Sequence, residues 1–87
     1  MAFKKSEIRR EIKSLYSQIA EVDISTIQDQ THFVKDLKKD SMASLELLTE
    51  IEKKFKIEID SASFSKILMV QSAVDLILSI VESRDSF

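Results

Sequence analysis

Few residues of this chain could do chemistry, and the most informative is a serine at the start of a helix-like pattern. The 87 residues include no cysteine and a single histidine, His32. Ser41 directly follows Asp40 in the stretch KKDSMASLELLTEIEKKF, residues 38–55. Unpaired backbone N–H groups and the helix dipole favour a phosphate at such a position. The pair therefore predicts either a phosphate-bearing serine or, on spacing alone, an ordinary Asp–Ser helix cap.

The other polar residues do not indicate an enzyme. His32 has no serine, cysteine or metal-ligand partner at a useful spacing, so we interpret it as a polar loop residue. Without glycine the chain can form neither a Walker loop nor a glycine-rich nucleotide fingerprint, and it has no HExxH sequence. Without cysteine it has no thiolate metal site, so any thiol chemistry would use a thiol from another molecule. We expect no catalytic residue and no metal site.

Length and composition predict one small domain spanning residues 1–87. A hydrophobic content of 44% with 32% charged residues is typical of soluble globular proteins, and a net charge of −2 does not favour nucleic-acid binding. The longest apolar run, residues 67–70, is far too short to span a membrane. The N-terminus is basic and amphipathic, but Glu7, Glu11 and Glu21 argue against a transit peptide. We expect a cytoplasmic monomer that binds neither nucleic acid nor membrane.

Apolar spacing indicates the elements that would position Ser41. Steps of three and four residues predict a first helix over about 3–20 and a last helix over about 70–83. The second helix covers about 41–55, and a short one covers about 61–66. Because glycine and proline are absent, hairpin turns are disfavoured. The fold class is therefore all-α, a small antiparallel bundle of three long helices and one short helix.

The same spacing predicts which side chains are buried. On the second helix, Leu48, Ile51 and Phe55 form the inner face, Leu45 and Met42 continue it, and Leu47 falls off it and is partly exposed. The segment KIEID, residues 56–60, is interpreted as a loop that places Ile57 and Ile59 in the core. A long polar connection follows the first helix. Four apolar residues are expected to anchor it: Ile24, Ile27, Phe33 and Leu37.

Residues 33–60, FVKDLKKDSMASLELLTEIEKKFKIEID, resemble the acyl carrier protein family. In that family a loop Phe-x-x-Asp-Leu-Gly-x-Asp-Ser-Leu leads into a helix with Glu-Leu and then Glu-x-x-Phe-x-Ile-x-Ile. The matching positions here are Phe33, Asp36, Leu37, Asp40, Ser41, Glu46, Leu47, Glu52, Phe55, Ile57 and Ile59. Residues 66–77, KILMVQSAVDLI, are similar to a second family stretch, so the resemblance covers nearly the whole chain.

The resemblance implies a covalent cofactor. Ser41, supported by Asp40, would receive 4′-phosphopantetheine from coenzyme A through a phosphopantetheinyl transferase and Mg²⁺. The thiol of this arm would carry acyl groups as thioesters between acyl-loading and acyl-processing enzymes. Ser44 lacks a preceding aspartate and is the weaker candidate for attachment.

Two further sets of residues are implied by the resemblance. Partner enzymes would contact the start and middle of the second helix, at Met42, Leu45, Glu46, Leu47 and Glu50. An apolar interior would shelter the acyl chain, and for each of its residues plain core packing is the alternative: Phe33, Leu48, Ile51, Ile59, Ile67 and Val70.

The chain departs from the family pattern at several positions. Lys38 replaces a glycine, which requires either another loop conformation or some strain. Met42 replaces leucine, and Asp60 replaces a usual proline. Residues 38–56 carry five lysines against four acids, a net charge of +1, whereas fatty-acid-synthase carriers are strongly acidic here. This favours a specialised pathway with polyketide, amino-acyl or other cargo, unless the basic helix end is simply solvated.

Lys38 also favours an alternative function. The chain could be an unmodified carrier-like interaction module that binds its partner through Met42, Leu45, Leu47 and the basic end of the second helix. In that case Ser41→Ala would leave the binding unchanged.

Overall fold

In the part of the chain that the structure describes, three α-helices and two 3₁₀ segments enclose one apolar core. The computed structural model describes residues 3–85. The order along the chain is α1 (Lys5–Ala20), a 3₁₀ turn (Ile24–Thr26), α2 (Ser41–Phe55), a 3₁₀ helix (Ser61–Leu68) and α3 (Val70–Asp85). The predicted small helical bundle is confirmed. The first and last helices begin or end two residues from their predicted bounds, and the short one is a longer 3₁₀ helix than expected.

Both α1 and α2 end on a residue in the left-handed conformation. Glu21 has φ 58° and Lys56 has φ 54°, and the amide of each donates to a carbonyl in the last turn of its helix. Glycine usually occupies this position because it has no Cβ to clash. A chain without glycine uses a glutamate and a lysine there, at some conformational cost.

The two ends of the bundle are fastened by contacts between elements. Phe3 packs edge-on against Phe55, with ring centroids 5.1 Å apart, so the start of α1 lies against the end of α2. Nearby, Lys54 Nζ lies 2.9 Å from Glu11 Oε2. Among the described residues, no Cα atom of α2 lies within 8 Å of one in α3. Side chains and the 3₁₀ helix therefore fill the space between these two helices.

The long connection between α1 and α2 is held to the rest of the fold mainly by its backbone. Phe33 N donates to Leu68 O at 2.6 Å, and Gln71 N donates to Asp29 O at 2.9 Å. The Asp29 carboxylate also lies 3.2 Å from Arg9 Nε on α1. This connection is therefore tied both to α1 and to the start of α3 before it reaches Ser41.

The anchors of this connection are as predicted at three positions and wrong at one. Ile27 and Phe33 are buried, and Leu37 packs half-buried against the core. Ile24 is 44% exposed, because it lies in the 3₁₀ turn that Asp23 caps by accepting the Ser25 amide. The backbone and side-chain hydrogen bonds that Ser25 donates to the Asp23 carboxylate hold the pKa of that carboxyl below its usual value.

The buried face of α2 differs from the predicted one. Leu47 is wholly buried, so the prediction of partial exposure is wrong, while Leu45 and Met42 are 56% and 79% exposed and do not continue the inner face. The actual stripe consists of Ser44, Leu47, Ile51 and Phe55. Steps of three, from Leu48 to 45 to 42, each fall about 60° short of a full turn and leave this face. Leu48 is accordingly only half-buried.

The segment after α2 is as predicted. Ile57 and Ile59 are each 8% exposed, so the loop places both side chains in the core. The Glu52 carboxylate fixes this loop by accepting the Ile59 amide at 2.8 Å. The family-like spacing of Glu52, Phe55, Ile57 and Ile59 therefore has a structural role here.

Candidate functional site

Ser41 is the first residue of α2 and its side chain is exposed. Asp40 is the N-cap, with its carboxylate accepting the Ala43 amide at 3.0 Å. This capping accounts for one of the amide groups left unpaired at the helix start. The cap therefore fixes the helix start, and the Ser41 hydroxyl remains at the surface, where the helix dipole favours an attached phosphate.

A single helical turn leads to Ser41, and His32 caps it. His32 Nδ1 accepts the amides of Val34 and Lys35 at 3.2 and 3.1 Å. In return, the Asp36 carboxylate accepts the His32 amide at 2.6 Å. This is a reciprocal cap of the kind that serine and glutamate form at helix starts. The only histidine thus has a structural partner set, which agrees with its interpretation as a polar loop residue.

Lys38 ends this turn in the left-handed conformation, with φ 59°. Glycine adopts this conformation readily, whereas a lysine in it is strained. The loop therefore keeps the conformation that glycine would allow and does not adopt another one. From Lys38 the chain passes through Lys39 and Asp40 into α2. The sequence alone left both outcomes open at this position.

Ser44, the weaker candidate for attachment, is 1% exposed. Its hydroxyl donates to the Asp40 carbonyl at 3.0 Å, which adds a second contact to the start of α2. A buried, hydrogen-bonded hydroxyl is poorly placed to attack a phosphate in another enzyme's active site. Ser41 and Ser44 are therefore separated by exposure as well as by sequence context.

Another Asp–Ser pair repeats the geometry of the site elsewhere in the fold. Asp60 caps the 3₁₀ helix by accepting the Ser63 amide at 2.9 Å, and exposed Ser61 is the first residue of that helix. What distinguishes Ser41 is the capped turn before it and the exposed apolar residues after it. The pair at residues 60–61 provides a matched control within the same chain.

The predicted partner-contact residues do not share one environment. Met42, Leu45 and Glu46 are exposed, and Glu50 is partly exposed, 3.7 Å from Lys53. Leu47 has no exposed surface and cannot contact a partner in this structure. Its inclusion among the partner contacts is therefore wrong. The apolar pattern does not indicate the buried face of the helix, because one residue of that face, Ser44, is polar.

The predicted acyl-pocket residues lie in the core. Phe33, Ile51, Ile67 and Val70 are wholly buried, Ile59 is 8% exposed, and Leu48 is half-buried. Burial of these side chains agrees both with the predicted acyl pocket and with its alternative, plain core packing. Sheltering an acyl chain among them would require the side chains to separate, and the half-buried Leu48 marks where this interior meets the surface.

Two features of the described residues concern other classes of function. Within residues 3–85, no group of three or more histidine, cysteine or acidic residues could hold a metal ion. None of the helices described there has the length and apolar character that crossing a membrane requires.

Comparison with known proteins decides the family. A family model described as "Phosphopantetheine attachment site" matches residues 10–77. The chain belongs to the acyl carrier protein family. It is 32% identical over 72 residues to an acyl carrier protein of Buchnera aphidicola, covering 83% of this chain and 91% of that one. It is 36% identical over 75 residues to an acyl carrier protein homolog of Clostridium acetobutylicum, covering 82% and 73%.

Solved structures show the same acyl carrier protein fold. The acyl carrier protein of Enterococcus faecalis is 28% identical, with a TM-score of 0.78 over 90% of this chain and 99% of that one. The HMG-ACPI domain of the CurA module of Lyngbya majuscula is 22% identical, with a TM-score of 0.82 over 95% and 83%. The predicted family, its carrier function without enzymatic activity and its covalent 4′-phosphopantetheine are thereby confirmed.

Two features of the site could not be found by spacing alone. The His32 cap depends on the orientation of an imidazole ring, although a histidine four residues before Asp36 is a possible signal. The Tyr16 hydroxyl donates to the carbonyl of Ile67, a residue 51 positions away. Local patterns carry no information about such a contact.

Proposed function

We propose that Ser41 is the residue to which 4′-phosphopantetheine is attached. The observation that carries the proposal is the exposed Ser41 hydroxyl on the first residue of α2, three residues after the capped turn ends at Lys38. Capping at His32 and Asp40 holds the backbone on both sides of the serine, so a transferase meets a preformed loop and pays little ordering entropy. Lys38, which favoured an unmodified module, takes a left-handed conformation that keeps this loop intact.

The chemistry asks little of this chain. The Ser41 oxygen attacks the β-phosphorus of coenzyme A, forming a new P–O bond as the pyrophosphate bridge breaks and adenosine 3′,5′-bisphosphate leaves. The serine proton passes to a base of the transferase, which also supplies Mg²⁺. Once bound, the arm supplies a thiol that holds acyl groups as thioesters. The chain's own residues present the hydroxyl, place the phosphodiester at a helix N-terminus and offer docking contacts.

Partner enzymes are proposed to dock on Met42, Leu45, Glu46 and Glu50. The two apolar side chains are the most exposed large hydrophobic residues described, at 79% and 56%. They lie within the first turn and a half of α2, beside the attachment serine, where a partner must approach to reach the arm. Exposed apolar side chains flanked by charge are typical of the centre and rim of a protein interface.

We propose that the cargo belongs to a specialised pathway, of polyketide, amino-acyl or similar type. The support is the net charge of +1 over residues 38–56. Lys53 forms an ion pair with Glu50, and Lys54 forms one with Glu11 of α1. The second helix is therefore not a simple acidic surface. An enzyme surface that selects for an acidic helix would bind this one less well.

The test of attachment is an intact-mass measurement. The purified chain is incubated with coenzyme A, Mg²⁺ and a broad-specificity phosphopantetheinyl transferase, with Ser41→Ala, Ser44→Ala and Ser61→Ala in parallel. Gain of one phosphopantetheine in every chain except Ser41→Ala is the expected result. Ser61→Ala is the matched control, because its Asp–Ser pair also starts a helix. Loss of modification in that control, or its persistence in Ser41→Ala, would overturn the assignment.

A further inference from the structure

Tyr16 contacts two of the six residues that are predicted to line the acyl pocket. It extends from α1 into the core and is wholly buried. Its ring packs edge-on against Phe33, with centroids 5.1 Å apart and an interplanar angle of 69°. Its hydroxyl donates to the carbonyl of Ile67 at the end of the 3₁₀ helix. One side chain from α1 therefore contacts both the connection before α2 and the 3₁₀ helix.

Both rings of this pair are held in place. The Phe33 amide donates to the Leu68 carbonyl at 2.6 Å, next to the carbonyl that the Tyr16 hydroxyl uses. Burial raises the pKa of the Tyr16 phenol well above its usual value, so the hydroxyl remains a donor. Moving the Tyr16 ring would leave a buried hydroxyl and a buried carbonyl without partners, which is costly away from water.

We propose that Tyr16 forms the floor of the acyl pocket and limits the sheltered cargo to a short acyl chain. The inference rests on the proposed function, since it needs an arm on Ser41. Ile51, Tyr16 and Phe33 belong to one buried cluster, and Leu48 packs half-buried against it. A chain that enters this cluster beside Leu48 would be bounded by the Tyr16–Phe33 pair. Carbons beyond that point have to separate the two rings or stay in water. Short cargo is thus buried and long cargo is only partly buried.

The experiment measures how stability depends on acyl length. The transferase loads the parent chain from acetyl-, butanoyl-, hexanoyl-, octanoyl-, dodecanoyl- and hexadecanoyl-coenzyme A, and urea unfolding is followed for each product. Each methylene that becomes buried should raise the equilibrium constant for folding about fourfold. We expect this gain over the shorter chains and then a plateau. In Tyr16→Leu the plateau should begin at a longer chain, and in Tyr16→Phe, which keeps the ring, it should stay.

A second measurement reports directly on the environment of the Tyr16 ring. Tyr16 is the only tyrosine and the chain has no tryptophan, so its near-ultraviolet circular dichroism band reports this ring. The band should stay unchanged for chains below the plateau. If Tyr16→Leu does not fold, Phe33→Leu removes the other ring of the pair and should move the plateau in the same direction.

The possible outcomes separate this inference from the function beneath it. A parent series that gains stability up to hexadecanoyl, or a plateau that both leucine variants leave in place, would overturn the role of Tyr16 while leaving the carrier assignment intact. Absence of any mass gain on the folded parent would refute the attachment at Ser41, and the inference with it.

Discussion

The imidazole of His32 and the carboxylate of Asp36 form a reciprocal cap on the same helical turn. His32 Nδ1 accepts two backbone amides of that turn, and Asp36 accepts the His32 amide at 2.6 Å. Lys38 closes the turn with φ 59°, and three residues later the chain reaches Ser41. The position of Ser41, the proposed attachment residue, thus depends on a short loop segment that these hydrogen bonds hold.

Removal of the His32 cap should destabilise the fold. His32→Ala is expected to lower the free energy of unfolding by about 1 kcal/mol, as for the loss of other helix caps. His32→Asn should recover most of this, because its side-chain oxygen can accept the same amides. Urea unfolding of the three chains measures the effect, and an alanine variant as stable as the parent would show that the cap contributes nothing.

Glycine at position 38 should stabilise the protein. A non-glycine residue in the left-handed region destabilises the folded state by about 1–2 kcal/mol. Glycine removes this strain, but its greater conformational freedom also favours the unfolded chain and offsets part of the gain. Lys38→Gly is expected to gain about 0.5–1 kcal/mol, which is a rise of several degrees in Tm for a domain of this size. Lys38→Ala removes the same charge without relieving the backbone and serves as the control. Equal gains in both variants would point to charge and not to strain.

Neighbouring leucines on α2 should respond in opposite ways. Leu47→Ala is expected to cost about 2–5 kcal/mol of stability, because the side chain is wholly buried. Leu45→Ala should change stability by less than about 0.5 kcal/mol, as exposed substitutions usually do. It should instead slow acyl transfer from the loaded carrier to partner enzymes. Unfolding and transfer assays on the same two variants separate core from docking surface, and a stability loss at Leu45 would contradict the exposure.

Alkaline pH should destabilise the fold through Tyr16. Burial raises the pKa of Tyr16 in the folded chain, whereas the unfolded phenol titrates near its ordinary value of about 10. Above that pH the unfolded state releases a proton that the folded state keeps, so stability falls by up to about 1.4 kcal/mol per pH unit. Below it this group has no effect on the pH dependence. The measured quantity is the slope of the parent minus that of Tyr16→Phe, which isolates the contribution of this phenol. A difference of zero would show that Tyr16 ionises freely.

The sequence predicted some features well because their causes are local. The bounds of α2 follow from the Asp40 cap and the apolar spacing that ends at Phe55, and the structure has the same bounds. The burial of Ile57 and Ile59 follows from their alternation with polar residues. The buried face of α2 was wrong at Leu47, because the stripe includes Ser44, a polar residue buried through its own hydrogen bond.

Other features depend on contacts that spacing cannot show. The left-handed conformation of Lys38 is unfavourable for lysine and is maintained by the loop around it. The Tyr16–Ile67 hydrogen bond joins residues from the first helix and the 3₁₀ helix. Such features require the three-dimensional packing of distant segments, whereas the proposal of Ser41 as the attachment residue depends on its immediate neighbours.

Fragmentation of the modified peptide shows directly whether Ser41 carries the arm. The chain treated with coenzyme A and transferase is digested, and the peptide that contains residues 40–52 is fragmented. We expect the phosphopantetheine mass on fragments that contain Ser41 and on none that begin after it. Localisation to Ser44, or to Ser61 in its own peptide, would refute the attachment at Ser41, as would a folded chain that the transferase leaves unmodified.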